Sequence, residues 1–330
     1  MTPATRAVPG RRSRWTGATV AAVEGLTRDV RRLELQFDEA VERSAPGGHV
    51  DVLIDVRGRL ERRSYSVVEW RGTGRAVIAV KQLTAGRGGS VAMHALVPGD
   101  RLTVSRPEHL VGLTLDAPAH LLVAGGIGIT ALVGMARALA VRGGPLRLLY
   151  AVRTREEAPF LDQLRDLLGP RLELHCSAEG RRLAFPAAFA DLPPGGLAYV
   201  CGPLLMQEAM RVAWEESGRE PRHLRSETFG SSGSFPEEAF TVRVPRLGVE
   251  IDVPSDRSVL AALQDAGVEM IAECERGECG LCVLPVLAAE GLLDHRDVFL
   301  SARQKQAGDV FCTCVSRAVG GALTLDTFDR

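Results

Sequence analysis

The feature that most constrains this chain lies near its C-terminus. In EMIAECERGECGLCVLPVL, Cys274, Cys279 and Cys282 fall within nine residues, and Cys312 and Cys314 follow after a long gap. A disulfide knot, a zinc clip or an iron–sulfur cluster could each use such a loop. Seven cysteines are an odd number. The basic start TPATRAVPGRRSRW leads into no apolar signal-peptide core, so a reducing, cytoplasmic setting is expected and disulfides are the poorest reading. Structural zinc takes two pairs of C-x2–4-C form. Here the second pair would be Cys312-x-Cys314, with Cys274 left over. The spacing C-x4-C-x2-C with a distant fourth cysteine is the plant-type [2Fe–2S] pattern. Gly277 and Gly280 allow unusual backbone angles and let amide N–H groups face the sulfurs. A cluster fits best, against zinc or a run of buried free thiols.

The remainder of the chain says what such a centre would be wired to. At 330 residues two or three domains are expected. With 45% hydrophobic and 25% charged residues the composition is that of a globular protein. Forty Lys and Arg nearly balance 41 Asp and Glu, which leaves no global basic field for nucleic acid. No apolar run is long enough to span a bilayer. Residues 1–15 read as a flexible tail. From 16 to 115, VRRLELQF, HVDVLIDV, RAVIAVKQL and DRLTVSRP alternate with period two between turn residues, which predicts an antiparallel β-barrel or sandwich. The exception is GRGGSVAMHALV, a Gly-rich turn entering a short helix. From 116 to 229, buried strands such as AHLLVAGG and PLRLLYAV alternate with helices such as ALVGMARALAVRG, predicting an α/β parallel sheet of nucleotide-binding layout. Residues 230–240 read as a linker. Residues 241–330 form an α+β unit: two short strands, the helix SVLAALQDAGV, then the cysteine loop.

Two further stretches carry chemistry. VAGGIGIT and AYVCGP each place glycine at a strand-to-helix turn, where backbone amides and the helix end favour a phosphate. Alone, such turns serve packing about as often. RRSYSV supplies Arg63, a forked donor for phosphate, and Tyr65, a flat face, with Ser66 as a hydrogen-bonding hydroxyl. Gly88, Gly89 and Ser90 stand at the start of the short helix as a second candidate anion site.

Together these segments resemble the phthalate dioxygenase reductase and vanillate demethylase reductase family. ECERGECGLC with TCVSRA resembles its fused plant-type ferredoxin domain, of β-grasp fold. The resemblance makes Cys274, Cys279, Cys282 and Cys314 the metal ligands, with Cys314 directly before V-S-R. Cys312 falls on a normally apolar position and reads as a packing residue. The glycine turns resemble the nicotinamide motifs of the wider ferredoxin–NADP reductase superfamily. That places Gly125, Gly126, Gly128 and Thr130 by the dinucleotide, and Cys201, Gly202 and Pro203 by the nicotinamide ring. One departure is Ala131, where that family usually has proline. The R-x-Y-S pattern assigns Arg63, Tyr65 and Ser66 to the flavin, and the loop Gly88–Ser90 to its phosphate. SETFG, with Glu227 and Phe229, resembles the segment ending beside the flavin, and Ser66, Cys201 and Glu227 are the implied catalytic residues. Lone histidines such as His49, His94 and His295 read as surface or structural. The implied cofactors are FMN (FAD in other branches), a [2Fe–2S] cluster and NADH. NADPH is possible because Arg153, Thr154 and Arg155 could meet a 2′-phosphate. The implied activity is that of a monomeric NAD(P)H-dependent reductase passing single electrons to a terminal Rieske-type oxygenase or demethylase. A cytochrome P450 acceptor and a non-turnover redox sensor are the alternatives.

Overall fold

The computed structural model describes residues 14–72, 74–83, 88–108, 112–229 and 235–327. Most of the expected tail lies outside them, as do residues 84–87 of the glycine turn, 109–111 of SRPEHLV, and the first half of the expected linker.

Six strands close a barrel: β1 (Trp15–Gly25), β2 (Val30–Phe37), β3 (His49–Val56), β4 (Arg59–Arg71), β5 (Arg75–Lys81) and β6 (Arg101–Ser105). Their order is β1-β2-β5-β4-β3-β6 with every pair antiparallel, so no edge is left open. The alternating positions behave as their period requires. Leu33, Leu35 and Phe37 point inward with Val50, Val52, Ile54 and Val56. Helix α1 (Gly89–Ala95) sends Met93, fully buried, into this core.

The second sheet is wholly parallel. Its elements are β7 (His120–Gly125), α2 (Ile129–Arg142), β8 (Leu146–Val152), α3 (Leu161–Leu168), β9 (Leu172–Cys176), α4 (Phe185–Phe189), β10 (Leu197–Cys201), α5 (Leu204–Glu216) and β11 (Leu224–Glu227). The order β11-β10-β7-β8-β9 reverses direction at β7. A crevice is therefore expected where the chain leaves the carboxyl ends of β7 and β10, which is where both glycine turns lie. One core joins this unit to the barrel, because Val68 of β4 and Ala79 of β5 pack with Ala131, Leu132 and Met135 of α2.

The third unit has β12 (Phe240–Val244), β13 (Val249–Val253), α6 (Val259–Asp265), β14 (Val283–Ala289), β15 (Leu292–Asp294), α7 (Ala302–Ala307), β16 (Val310–Cys312), β17 (Arg317–Val319) and β18 (Leu323–Leu325). Its sheet runs β13-β12-β18-β14-β16, with β12 and β18 parallel and the other pairs antiparallel. Helix α6 lays Val259 and Leu263 on this sheet. The described half of the expected linker is bound rather than loose. Buried Arg296 pairs with Asp294 and Glu237, each at 2.8 Å, and Arg317 donates to the Glu238 carbonyl at 2.9 Å. Among the described residues no helix is long and apolar enough to cross a membrane.

Candidate functional site

The cysteine loop is shaped by three left-handed residues, Glu275, Gly277 and Gly280, with φ of 51°, 76° and 75°. The bends turn the amides of Arg276 and Cys279 onto the Cys274 sulfur, each at 3.4 Å. Side chains at the glycines would collide: a Cβ at Gly277 would stand 2.7 Å from Val315 Cγ2, and one at Gly280 2.2 Å from the Phe299 ring. Opposite the loop, the end of β16 brings up Cys312 and Cys314. The sulfurs of Cys282, Cys312 and Cys314 all lie within 4.8 Å of one another. All seven cysteines are free thiols. Sulfur hydrogen bonds from Cys312 and Cys314 pull Cys282 down to about 3. Burial pushes Cys274 up while the loop amides oppose it. A pocket of buried thiols, partly served by backbone N–H donors, suits thiolate ligands of a [2Fe–2S] cluster.

The glycine turns serve packing and access together. A Cβ at Gly128 would lie 2.2 Å from the Cys201 carbonyl oxygen, and one at Gly125 2.6 Å from Pro203 Cδ. Thus α2 begins against the chain leaving β10, and side chains there would fill the crevice mouth. Gly126 takes φ of 53°. The Thr130 hydroxyl donates to the Ile127 carbonyl at 3.0 Å, pinning the turn. Ala131 is buried in the first turn of α2, so the missing proline leaves this start intact. Gln207 donates to the Gly202 carbonyl at 2.8 Å and the Glu227 carbonyl at 3.1 Å, bracing the second turn against β11.

On the barrel, Arg63 and Tyr65 are half-buried and Ser66 is buried. Arg63 lies across Gly89, where a Cβ would come within 2.3 Å of its Nε, so the arginine and the turn form one cradle that only glycine leaves open. Gly88 has φ of 84°. The Ser90 hydroxyl accepts from the Leu83 amide at 3.0 Å, linking the start of α1 to the chain just after β5. The Arg63 guanidinium is paired with Glu61 and donates to the Arg62 carbonyl, so a phosphate here would have to displace Glu61. Tyr65 is held as a neutral phenol by burial.

The three units meet at one buried polar junction. Ser66 of β4, Cys201 of β10, Glu227 of β11 and Arg276 of the cysteine loop are all buried there, with Glu278 close behind. The Glu278 carboxylate accepts from the Thr228 amide at 2.9 Å and pairs with Arg276 at 3.4 Å. Burial pushes Glu227 up to about 8; Arg276 opposes this, Glu278 reinforces it, and the nearby Ser66 hydroxyl draws it slightly down. Burial also holds Cys201 as a neutral thiol. Ser66 Oγ, Glu227 Oε2 and Gln207 Oε1 are buried without a hydrogen-bond partner among the described residues, whereas Glu278 Oε2 faces Arg276. Buried polar atoms without partners are costly, and several together mark a place built for a polar ligand edge.

The family resemblance implied Ser66, Cys201 and Glu227 as catalytic residues, and the structure buries all three at this junction. It leaves Arg153 exposed at the end of β8 and Phe229 39% exposed beyond β11. Four contributors were not anticipated. His49, opposite Ser66 in the β3–β4 ladder, is held near 4 by burial and then by the Arg276 charge. Arg276 and Glu278 are charged residues inside the cysteine motif, which was the available signal. Arg62 donates to the Glu273 carbonyl at 2.6 Å and pairs with Glu275 at 3.1 Å, tying the barrel to the loop.

Residues 242–319 match the family model described as 2Fe-2S iron-sulfur cluster binding domain. Over 313 residues the chain is 37% identical to the heme-dependent oxidative N-demethylase beta subunit of Ectopseudomonas mendocina (strain ymp), covering 93% of this chain and 97% of that protein. The solved structure of phthalate dioxygenase reductase, described as modular for electron transfer from pyridine nucleotides to [2Fe–2S], superposes with a TM-score of 0.77 at 32% identity, covering 94% of this chain and 98% of that one. An intact type IV self-sufficient cytochrome P450 monooxygenase superposes with a TM-score of 0.66 at 31% identity, over 97% of this chain and 43% of that one.

Proposed function

The chain belongs to the phthalate dioxygenase reductase family, and from that membership we propose that it is the reductase component of an oxygenase or demethylase system. It passes electrons from NAD(P)H through FMN and a [2Fe–2S] cluster to a terminal oxygenase. One observation carries the reading: side chains of the barrel, the parallel sheet and the cysteine loop converge on a single buried junction around Ser66, Cys201, Glu227 and Glu278.

The division of labour follows the three units, which we take as 16–115 for the flavin, 116–229 for the nicotinamide and 241–330 for the cluster, with 230–240 joining the last two. FMN, when bound, supplies the conversion between the two-electron chemistry of nicotinamide and the one-electron chemistry of an iron–sulfur centre. Arg63 and the turn at Gly88, Gly89 and Ser90 hold its phosphate, and Tyr65 offers a ring face. Ser66 presents a hydroxyl with no protein partner to the flavin edge. Gly125, Gly126, Gly128 and Thr130 shape the floor for the dinucleotide, while Cys201, Gly202 and Pro203 border the nicotinamide. Glu227 keeps its proton at neutral pH because it is buried, and so places a neutral acid beside Ser66 and Cys201. Phe229 and Arg153 are assigned outer contacts to flavin and dinucleotide. Cys274, Cys279, Cys282 and Cys314 supply the four thiolates.

NADH is the preferred donor. The Arg155 side chain is occupied by Glu179 at 2.8 Å, and Glu156 and Glu157 follow it, so a 2′-phosphate would meet a neutralised arginine among acids. The acceptor is a Rieske-type oxygenase or demethylase. A haem acceptor is the second reading, favoured by the N-demethylase relative and by the match within a P450 chain.

Anaerobic titration with NADH tests the core reading. Flavin and iron–sulfur bands that bleach together, with a rhombic one-electron EPR signal, are expected. A colourless, zinc-containing protein would sink it. So would a yellow protein that acquires no cluster on reconstitution. Coupling the reduced protein to purified Rieske and P450 components, and comparing turnover, separates the two acceptors.

A further inference from the structure

Four thiolates complete a [2Fe–2S] cluster, yet a fifth cysteine stands among them. Around a tetrahedral metal with metal–sulfur bonds near 2.3 Å, ligand sulfurs lie roughly 3.8 Å apart. Cys312 Sγ is 3.5 Å from Cys282 Sγ and 3.8 Å from Cys314 Sγ. All three sulfurs lie within 4.8 Å of one another, and Cys312 stands at ligand spacing from both of the others.

The backbone holds this arrangement firmly. Strands β14 and β16 pair with Val283 opposite Cys312, which sets Cys282 beside it. The amide and the hydroxyl of Thr313 both bond the Cys282 carbonyl, at 3.3 and 2.8 Å. With Thr313 turned to that carbonyl, Cys312 and Cys314 on either side of it both bring their sulfurs up to Cys282. Cys312 is fully buried and is not part of a disulfide. Cys312 is packed in a buried cluster with Leu260 and Val315. A thiol adds a soft ligand at ligand distance.

We propose that Cys312 is a reserve ligand, able to replace Cys314 on the iron shared with Cys282. The inference rests on the cluster reading above. In the exchange the iron–Cys314 sulfur bond breaks and an iron–Cys312 sulfur bond forms. The Cys312 thiol gives up its proton, the departing Cys314 thiolate takes one, and no oxidation state changes. Both sulfurs already face Cys282, so the exchange needs side-chain rotation rather than backbone movement.

The test uses the full chain as Cys314→Ser, Cys312→Ser, the double variant and Cys279→Ser, reading iron and acid-labile sulfide content and the EPR spectrum after reduction. Cys314→Ser is expected to keep a [2Fe–2S] cluster with shifted g values. The double variant and Cys279→Ser should lose cluster content by about tenfold or more. A Cys314→Ser chain as empty as the double variant, but with flavin still bleached by NADH, would overturn the proposal. If Cys314→Ser does not fold by that flavin criterion, Cys312→Ser decides. Its cluster should bleach in air several-fold faster than wild type, and equal rates would overturn the proposal. A wild-type chain with no [2Fe–2S] signal after reconstitution would overturn the underlying reading as well, which distinguishes the two failures.

Discussion

The cysteine loop and the buried junction at Ser66, Cys201 and Glu227 lie side by side but are specified in opposite ways. The loop takes three cysteines from nine consecutive residues, and its left-handed turns and sulfur-facing amides are local. The junction takes one residue each from β4, β10 and β11 and two from the loop, so contacts spanning more than 200 residues must form before it exists. A local site should fail when one ligand is removed and leave its neighbours working. A site assembled at long range should respond by degrees, both to its own residues and to the contacts that hold the units together.

The largest effect is expected at the loop. Cys279→Ser should cut cytochrome c reduction about 100-fold or more, while NADH still bleaches the flavin. Loss of both would contradict the independence of the loop. At the junction, Glu227→Gln and Ser66→Ala should each slow flavin reduction by NADH, the former by about 100-fold in stopped-flow traces. The wild-type rate should fall as pH rises through about 8, where Glu227 loses its proton, and the glutamine variant should show no such fall. The same raised carboxyl sets a sign on stability. Its contribution is complete below the ordinary value of 4.5 and is lost as pH rises through about 8. Thermal unfolding of the wild type should weaken over that window more than that of Glu227→Gln.

A smaller effect is expected where the glycine turns meet. Gly128→Ala drives a methyl against the Cys201 carbonyl, which should cost about 1–3 kcal/mol by thermal or denaturant unfolding. It should also weaken NADH binding. The smallest concerns the tie between units. Arg62→Ala removes the bonds to Glu273 and Glu275, and a partly exposed ion pair of this kind contributes roughly 0.2–1 kcal/mol. Flavin reduction should be unchanged and flavin-to-cluster transfer only a few-fold slower. A drop in both would mean that Arg62 supports the barrel itself.

Some elements were legible and others were not, for identifiable reasons. Strands β2, β3, β5 and β6 announce themselves by runs of β-branched and apolar residues between turns, although β5 is buried on both faces, and the αβ alternation of the parallel sheet was readable from β7 to α5. Strand β1 escaped notice: WTGATVAAVEG is rich in Gly and Ala and carries little hydrophobic contrast. Helix α4, five residues long, and strands β15 to β18, three residues each, leave too few periods to count. The linker reading of 230–240 held no hint that Arg296 and Arg317 fasten its second half to the last sheet, because a buried arginine looks like any other in sequence.

By itself the sequence determined a candidate cluster loop from cysteine spacing, and through its family resemblance it marked the glycine turns for a dinucleotide and the R-x-Y-S strand for a flavin. Each motif lies within a dozen residues, so it could be compared without the fold. Only the tertiary structure decided that Glu227 sits beside Ser66 and Cys201 with Arg276 and Glu278 across from it, that His49 is buried against the same charge, and that Cys312 stands at ligand distance from Cys282 and Cys314. Those placements depend on how sheets dock and strands pair. The charge state of a carboxyl or the neighbours of a sulfur follow from burial, which arises only when distant segments exclude water together.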